Sequence, residues 1–409
     1  MDSTQGSASP RTASGGADPG RLGFGVSGLY LALYVHYGFF AFLPLWLKST
    51  GASAEEIGVL LAIPMILRLL TVAPFAAFVG RRGWVRNAIA YTSLASAAII
   101  LLLLGEPDHA GRIGIVIIFS IMWDQIPVLT DAYAVMAVRS RSLDFGRLRV
   151  WGSIAVVVSN AAAGWAISMF GLKMLPLMVA TLLIAPAIVA VLLPADRKLT
   201  VVDAAVGGRW RDLIGDGGLI LAMVAASLIM GSHGVLTSFG AIQWEAQGIS
   251  TTVIGLLQAL AVAAEIGAFW FGAKLLGNRD PRLLIVAGAI AGALRWAIMA
   301  TSPGLPVLVV GQLLNGITAT GTILGIMLVI ARRVPGHLTA TAQGMNAVLL
   351  GAVLAVAMVG SGLLWNQGLA VAYLAMSVLA LLGALCAWPR RSAIDTHPNQ
   401  DAMSVSGAE

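Results

Sequence analysis

Apolar runs of about 20 residues follow one another along nearly all of this 409-residue chain, and each is long enough to cross a bilayer as an α-helix. Twelve are legible, at 24–47, 57–80, 86–105, 112–138, 150–170, 172–193, 217–243, 252–276, 283–301, 305–331, 340–365 and 367–388. Composition agrees: 58% of residues are hydrophobic, 11% are charged and the mean hydropathy is +0.88, where a soluble domain carries roughly 25% charged residues. The expected fold class is therefore all-α integral membrane.

The chain also repeats itself. Thr-Gly-Ala-Ser-Ala-Glu-Glu-Ile-Gly-Val-Leu-Leu-Ala, from Thr50 to Ala62, returns as Gln-Gly-Ile-Ser-Thr-Thr-Val-Ile-Gly-Leu-Leu-Gln-Ala, from Gln247 to Ala259. The same offset, 247 − 50 = 197 residues, superimposes His36 on His233, Phe42 on Phe239 and Arg68 on Glu265. Repeats of this kind in a bilayer-crossing chain are how secondary transporters build a central site between two rocking halves. The expected organisation is a disordered tail at 1–22, a six-helix half at 23–195, a linker at 196–216, a second, pseudo-symmetric six-helix half at 217–389 and a tail at 390–409.

Basic residues are retained on the cytoplasmic side of a membrane. With both termini cytoplasmic, 20 of the 25 Lys and Arg fall on that side, Lys48, Arg112 and Lys173 fall opposite, and Arg68 and Arg295 lie within the membrane. One consistent topology, in a cytoplasmic inner membrane, accounts for the net charge of +6 without any nucleic-acid partner. A cleaved signal peptide is not expected, because the first apolar run is too long and contains His36. The lone Cys386 reads as a small apolar filler in a terminal helix.

A charge at the bilayer centre costs at least about 2.5–3.5 kcal/mol, so intramembrane ionisable residues are candidates for function. Here they are Arg68, Asp124, Asp131, Glu265 and Arg295. At about 1.5 Å rise per residue from the nearest cytoplasmic Lys or Arg, Glu265 lies roughly 14 Å deep, Arg295 20 Å, Arg68 20 Å, Asp124 22 Å and Asp131 12 Å. An Arg295–Glu265 pair is within reach, and either aspartate could meet Arg68. Asp124 and Asp131 share a helical face, with Pro127 between them as a local distortion. Gln258 precedes Glu265 by two turns, which gives that helix a polar stripe. Carboxylates of this kind suit proton coupling, since separating an acid from its cationic partner makes it take up a proton.

His36 and His233 form a second constellation, as substrate hydrogen-bonders, titrating groups or packing residues. Asn315, Thr318 and Thr322 share a face of the tenth run, fit either for bonds between helices or for substrate contact. No metal-ligand spacing, Walker loop, dinucleotide fingerprint or serine nucleophile elbow occurs. Nothing points to an enzyme, a cofactor or a metal.

These residues resemble a family. The two six-helix halves are similar to the major facilitator superfamily, although its Gly-x-x-x-Asp-Arg-x-Gly-Arg loop is reduced here to Phe78-Val-Gly-Arg-Arg-Gly-Trp-Val-Arg86, without the aspartate. Further stretches resemble the phenylpropionate permease family, whose members are similar to the lactose permease and nucleoside:proton symporters. They are Pro127-Val-Leu-Thr-Asp-Ala132, Phe145-Gly-Arg-Leu-Arg-Val-Trp-Gly-Ser-Ile154, His233 leading to Ile254-Gly-Leu-Leu and Ala264-Glu265, and Leu294-Arg-Trp296. Where relatives tend to show Leu-His-Gly, this chain has Leu314-Asn315-Gly316, which implies an altered cavity residue. Arg147 and Arg149 read as basic anchors.

The resemblance implies a proton-coupled symporter of a small organic solute, an aromatic or other monocarboxylate, working as a monomer in the lipid bilayer. Glu265, Asp131 and Asp124 are expected in proton coupling. Arg68, Arg295, His36, His233, Gln258 and Asn315 are expected in substrate binding. Within transport, the competing readings are proton-driven efflux of an amphipathic drug or toxin and symport of a nucleoside or sugar. From another class, a non-transporting membrane assembly factor would have shed the five intramembrane charges that remain here.

Overall fold

The computed structural model describes residues 19–141, 143–194, 211–276 and 279–388. Most of the expected N-terminal tail and linker, and the whole expected C-terminal tail, lie outside these residues. Twelve helices are long and apolar enough to cross a membrane. The first six are α1 (Gly20–Ser49), α2 (Ala54–Arg82), α3 (Val85–Gly105), α4 (His109–Val138), α5 (Phe145–Phe170) and α6 (Leu172–Leu192). After the linker come α7 (Gly217–Ala246), α8 (Thr251–Phe271), α9 (Arg282–Met299), α10 (Leu305–Arg333), α11 (Gly336–Trp365) and α12 (Leu369–Ala387). Each corresponds to one of the twelve apolar runs, although α1 begins inside the stretch expected as a tail.

Local chemistry sets the helix ends. Ser53, Asp108, Asp144 and Asp216 cap α2, α4, α5 and α7 by accepting from a backbone N–H three residues on. Gly83 ends α2 in the left-handed conformation at φ 62°. In that connection, where the aspartate of the superfamily loop is missing, Arg82 lies over the rings of Phe78 and Trp84, at 4.2 and 5.0 Å from their centroids.

The chain divides into two compact units, one of residues 1–205, 236–262 and 358–363, the other of 206–235, 263–357 and 364–409. In the first unit α3 packs on α6, and in the second α9, six spans later, packs on α12. The core of the second unit gathers Met223 and Ile229 from α7, Ile285 and Ala289 from α9 and Ile326 and Ile330 from α10. Leu192, Trp270 and Val356 instead stand 79%, 77% and 72% exposed, as suits helices whose outer faces meet lipid.

Lipid gives helices no hydrophobic reason to associate, so close packing and bonds between helices hold them together. Small residues provide the approach. A Cβ on Gly321 of α10 would lie 2.7 Å from the Leu284 carbonyl oxygen of α9, and one on Gly58 of α2 would lie 2.6 Å from that of Met358 on α11. Ser377 of α12 donates to the carbonyl of Ala293 on α9 at 2.9 Å, a bond of the kind worth about 0.6 kcal/mol in membranes.

Candidate functional site

Interruptions in α1, α4 and α7 fall at or beside ionisable residues. In α4 the helix stops at Trp123 and resumes at Gln125, because Pro127 has no N–H to give the Trp123 carbonyl. Asp124 sits in the break, 3% exposed. In α1 the ladder is interrupted at Val35 and His36, and just beyond it the N–H of Gly38 bonds the hydroxyl of Ser159 on α5 at 3.0 Å. Gly38 must be glycine, since a Cβ would collide with the Ser159–Asn160 backbone. In α7 the break falls at Ser232 and His233, between Gly231 and Gly234. Non-helical backbone survives at membrane depth only where protein or a cavity surrounds it.

In the second unit, a chain of hydrogen bonds joins α8, α9 and α10. Arg295 is 1% exposed and donates Nη1 to Asn315 Oδ1 at 2.5 Å and Nη2 to Gln312 Oε1 at 2.6 Å. Asn315 in turn donates Nδ2 to Glu265 Oε1 at 2.5 Å. The expected direct pair of Arg295 with Glu265 is thus replaced by a bridge through an amide. The physical reason is that an amide carries an acceptor for the guanidinium and a donor for the carboxylate on one flat group. Gly316 allows it: a Cβ there would lie 2.6 Å from the Ala264 carbonyl oxygen, so only glycine lets α10 come this close to α8. Thr320 ties the same helices by donating to the Glu265 carbonyl at 3.1 Å.

The Arg295 guanidinium also lies 4.7 Å from the centroid of Trp296. Trp296 stacks on Tyr373 at 6.2 Å, meets the His233 ring edge-on at 5.0 Å and donates Nε1 to Ser232 Oγ at 2.8 Å. No carboxylate forms an ion pair with Arg295 among the described residues, and its Nε is buried without a hydrogen-bond partner.

In the first unit, aromatic rings form a ladder along α1 and α4. Tyr30 stacks with Tyr34, Tyr34 meets Tyr37, Tyr37 meets Trp123, and Trp123 continues to Phe40 and Phe119, with centroids 4.8–6.4 Å apart. Tyr34, Tyr37, Phe40 and Trp123 are only partly buried. Trp123 donates Nε1 to His36 Nε2 at 2.8 Å, and His36 is fully buried.

The acids of this unit differ in company. Tyr30 donates to Asp131 Oδ1 at 2.7 Å, and Arg149 of α5 lies within electrostatic reach of both. Asp124 has no ion pair among the described residues, and its Oδ2 is buried without a hydrogen-bond partner. Arg68, exposed on α2, acts on Asp124 and Tyr37 only through space. Of the two aspartates, then, Asp124 faces Arg68, while Asp131 has Arg149, which the sequence marked as an anchor. Gln258 is half-buried on α8. Thr318 and Thr322 bond carbonyls of their own helix and pack against Gly288 and Gly292 of α9, so they serve packing.

Sequence reasoning missed Gln312 and the ring ladder. Gln312 carries no charge to flag it, but it stands one turn before Asn315, and Tyr30, Tyr34 and Tyr37 recur at i, i+4 and i+7 on one face of α1.

Residues 25–375 match the model of the MFS_1 like family. The chain belongs to that family. MFS_1 like proteins are major facilitator transporters, so this chain is a multi-pass membrane transporter of the secondary type and not an enzyme. It is 30% identical over 344 residues, 82% of this chain and 89% of the other, to the protein of Escherichia coli (strain K12) named "Probable 3-phenylpropionic acid transporter". It is 25% identical over 278 residues to the maltose permease of Geobacillus stearothermophilus, covering 66% of this chain and 68% of that one. The MFS fold is that of the nucleoside transporter NupG, matched at TM-score 0.76 and 15% identity over 90% of this chain and 98% of that one.

Proposed function

We propose that this chain is a proton-coupled symporter that brings an aromatic monocarboxylate across the cytoplasmic inner membrane by alternating access, with both termini in the cytoplasm. The observation that carries the reading is the Glu265–Asn315–Arg295 chain in the second unit: a half-buried acid joined through one amide to a buried cation that no carboxylate among the described residues pairs with directly. An acid at that depth is a place for a proton, and a cation with an unpartnered Nε is a place for an anion.

The substrate class draws on separate support. The partly exposed rings of Tyr34, Tyr37, Phe40 and Trp123 suit an aromatic substrate, and Arg68, exposed and free of an ion pair among the described residues, suits steering an anion toward them, while Arg295 is the cation that takes the carboxylate. The name of the Escherichia coli relative points to the same chemistry. Asp124 is a second candidate for the proton, because it is buried and one of its oxygens has no partner. Asp131 is held by Tyr30, with Arg149 close by, and fits a role in fixing α1 to α4. His36 positions Trp123 rather than touching substrate. His233 packs edge-on against Trp296, whose indole N–H goes to Ser232 instead, and Gln258 stays a candidate substrate contact.

The test is uptake by purified protein in proteoliposomes, using labelled 3-phenylpropionate, a nucleoside and maltose, with and without an acid exterior. One proton per carboxylate makes a gradient of one pH unit worth about 1.4 kcal/mol, or roughly tenfold accumulation. The expected result is accumulation of 3-phenylpropionate that depends on the gradient. Uptake of nucleoside or maltose in its place would overturn the substrate class, and gradient-independent equilibration would overturn the coupling.

A further inference from the structure

Asn315 is the one side chain that touches both Arg295 and Glu265 in the bonds described above, and its two ends are not interchangeable. Its carbonyl faces a guanidinium, which only donates, and its amide nitrogen faces a carboxylate that, when ionised, only accepts. Turning the amide over would set donor against donor and acceptor against acceptor. While both charges are present, Asn315 is locked in one orientation.

A proton from water added to Glu265 removes that lock. The carboxyl becomes neutral and gains a donor, and its bond from Asn315 changes from charge-assisted to neutral, roughly half as strong. Arg295 then keeps two amide oxygens as acceptors but loses the anion that reached it through Asn315. The other titratable or charged groups facing this network are His233 on α7 and Tyr373 on α12, and neither supplies a negative charge at neutral pH. Gln312 and Thr320 on α10 are neutral.

We infer that Asn315 is the positioning residue that couples the two ligands: by linking Glu265 to Arg295, it makes a proton on Glu265 the condition for Arg295 to take the substrate carboxylate. The inference rests on the proton-symport reading above and adds an order to it, proton first and anion second. It also gives a reason for an amide here. Asn315 has no charge of its own, so it transmits the state of Glu265 without competing for the proton.

The experiment measures the half-saturation concentration for labelled 3-phenylpropionate in counterflow between pH 5.5 and 8.5. In the wild type, linkage of one proton to one anion makes that concentration rise about tenfold per pH unit on the alkaline side. Asn315→Leu should flatten the profile, whatever its absolute half-saturation concentration, and Asn315→Gln, which keeps the amide, should restore the slope. Should Asn315→Leu not yield folded protein, Asn315→Asp serves: its carboxylate would hold Arg295 whatever the state of Glu265, which again predicts a flat profile with weaker binding throughout. A wild-type slope that persists in these variants, merely shifted to weaker binding, would overturn the coupling role and leave symport standing. A wild type with no slope would overturn both.

Discussion

Trp123 donates its indole N–H to Nε2 of His36 across 2.8 Å, so the imidazole proton sits on Nδ1 and a fully buried ring is fixed at the break in α1. Trp123→Phe keeps the aromatic stack but leaves Nε2 buried and unpartnered. The expected cost is about 1–3 kcal/mol, read as a lower midpoint in denaturant unfolding of the detergent-purified protein. An unchanged midpoint would mean that the bond does not hold the break.

Arg68 should matter for binding more than for folding. It is exposed, makes no ion pair among the described residues and lies within electrostatic reach of Tyr37 and Asp124. An exposed charge acting through space contributes up to about 1 kcal/mol, so Arg68→Gln should raise the half-saturation concentration for 3-phenylpropionate by roughly 2–5-fold while expression stays near wild type. A variant that expresses well and binds normally would remove Arg68 from the site.

Because Asn315 bonds both Arg295 and Glu265, substitutions at the two charged positions should not add. In a double-mutant cycle, Arg295→Gln and Glu265→Gln together should cost about 0.5–3 kcal/mol less than the sum of the single variants in unfolding free energy, since removing one charge strands the other. Additivity within about 0.3 kcal/mol would show that the amide transmits nothing.

The orientation prediction follows from the division of basic residues outside the membrane, 20 against 3. Reporter fusions at Gly207 and Glu409 should both report the cytoplasm. A reporter after Gly171, between α5 and α6, should report the opposite side. A signal from Glu409 on the far side would invert the topology.

Much of this was legible in the sequence, because bilayer physics writes long signals. Twelve apolar runs gave the twelve spans, and Glu265, Arg295, Asp124 and Asp131 stood out because charge is costly there. The pairing was not legible. Rise per residue estimates depth along each helix but not the rotation about its axis, and it is rotation, fixed by the approach of Gly316 to Ala264, that inserts Asn315 between Arg295 and Glu265. For the same reason Arg149, read as an anchor, turned out to be a neighbour of Asp131. Gln312 and the tyrosines of α1 carry no formal charge to betray a site, and their role emerges only once the helices are packed.

The central claim, that Glu265 carries the coupling proton, is tested most directly by Glu265→Gln in proteoliposomes. Glutamine keeps the size of the side chain and can accept from Asn315, but it neither binds nor releases a proton, so it imitates the protonated state. The variant should exchange labelled 3-phenylpropionate in counterflow at a rate within a few-fold of wild type while losing accumulation driven by a pH gradient. Accumulation at the wild-type level would contradict the account and move the proton to Asp124, the buried acid of the first unit whose Oδ2 has no partner.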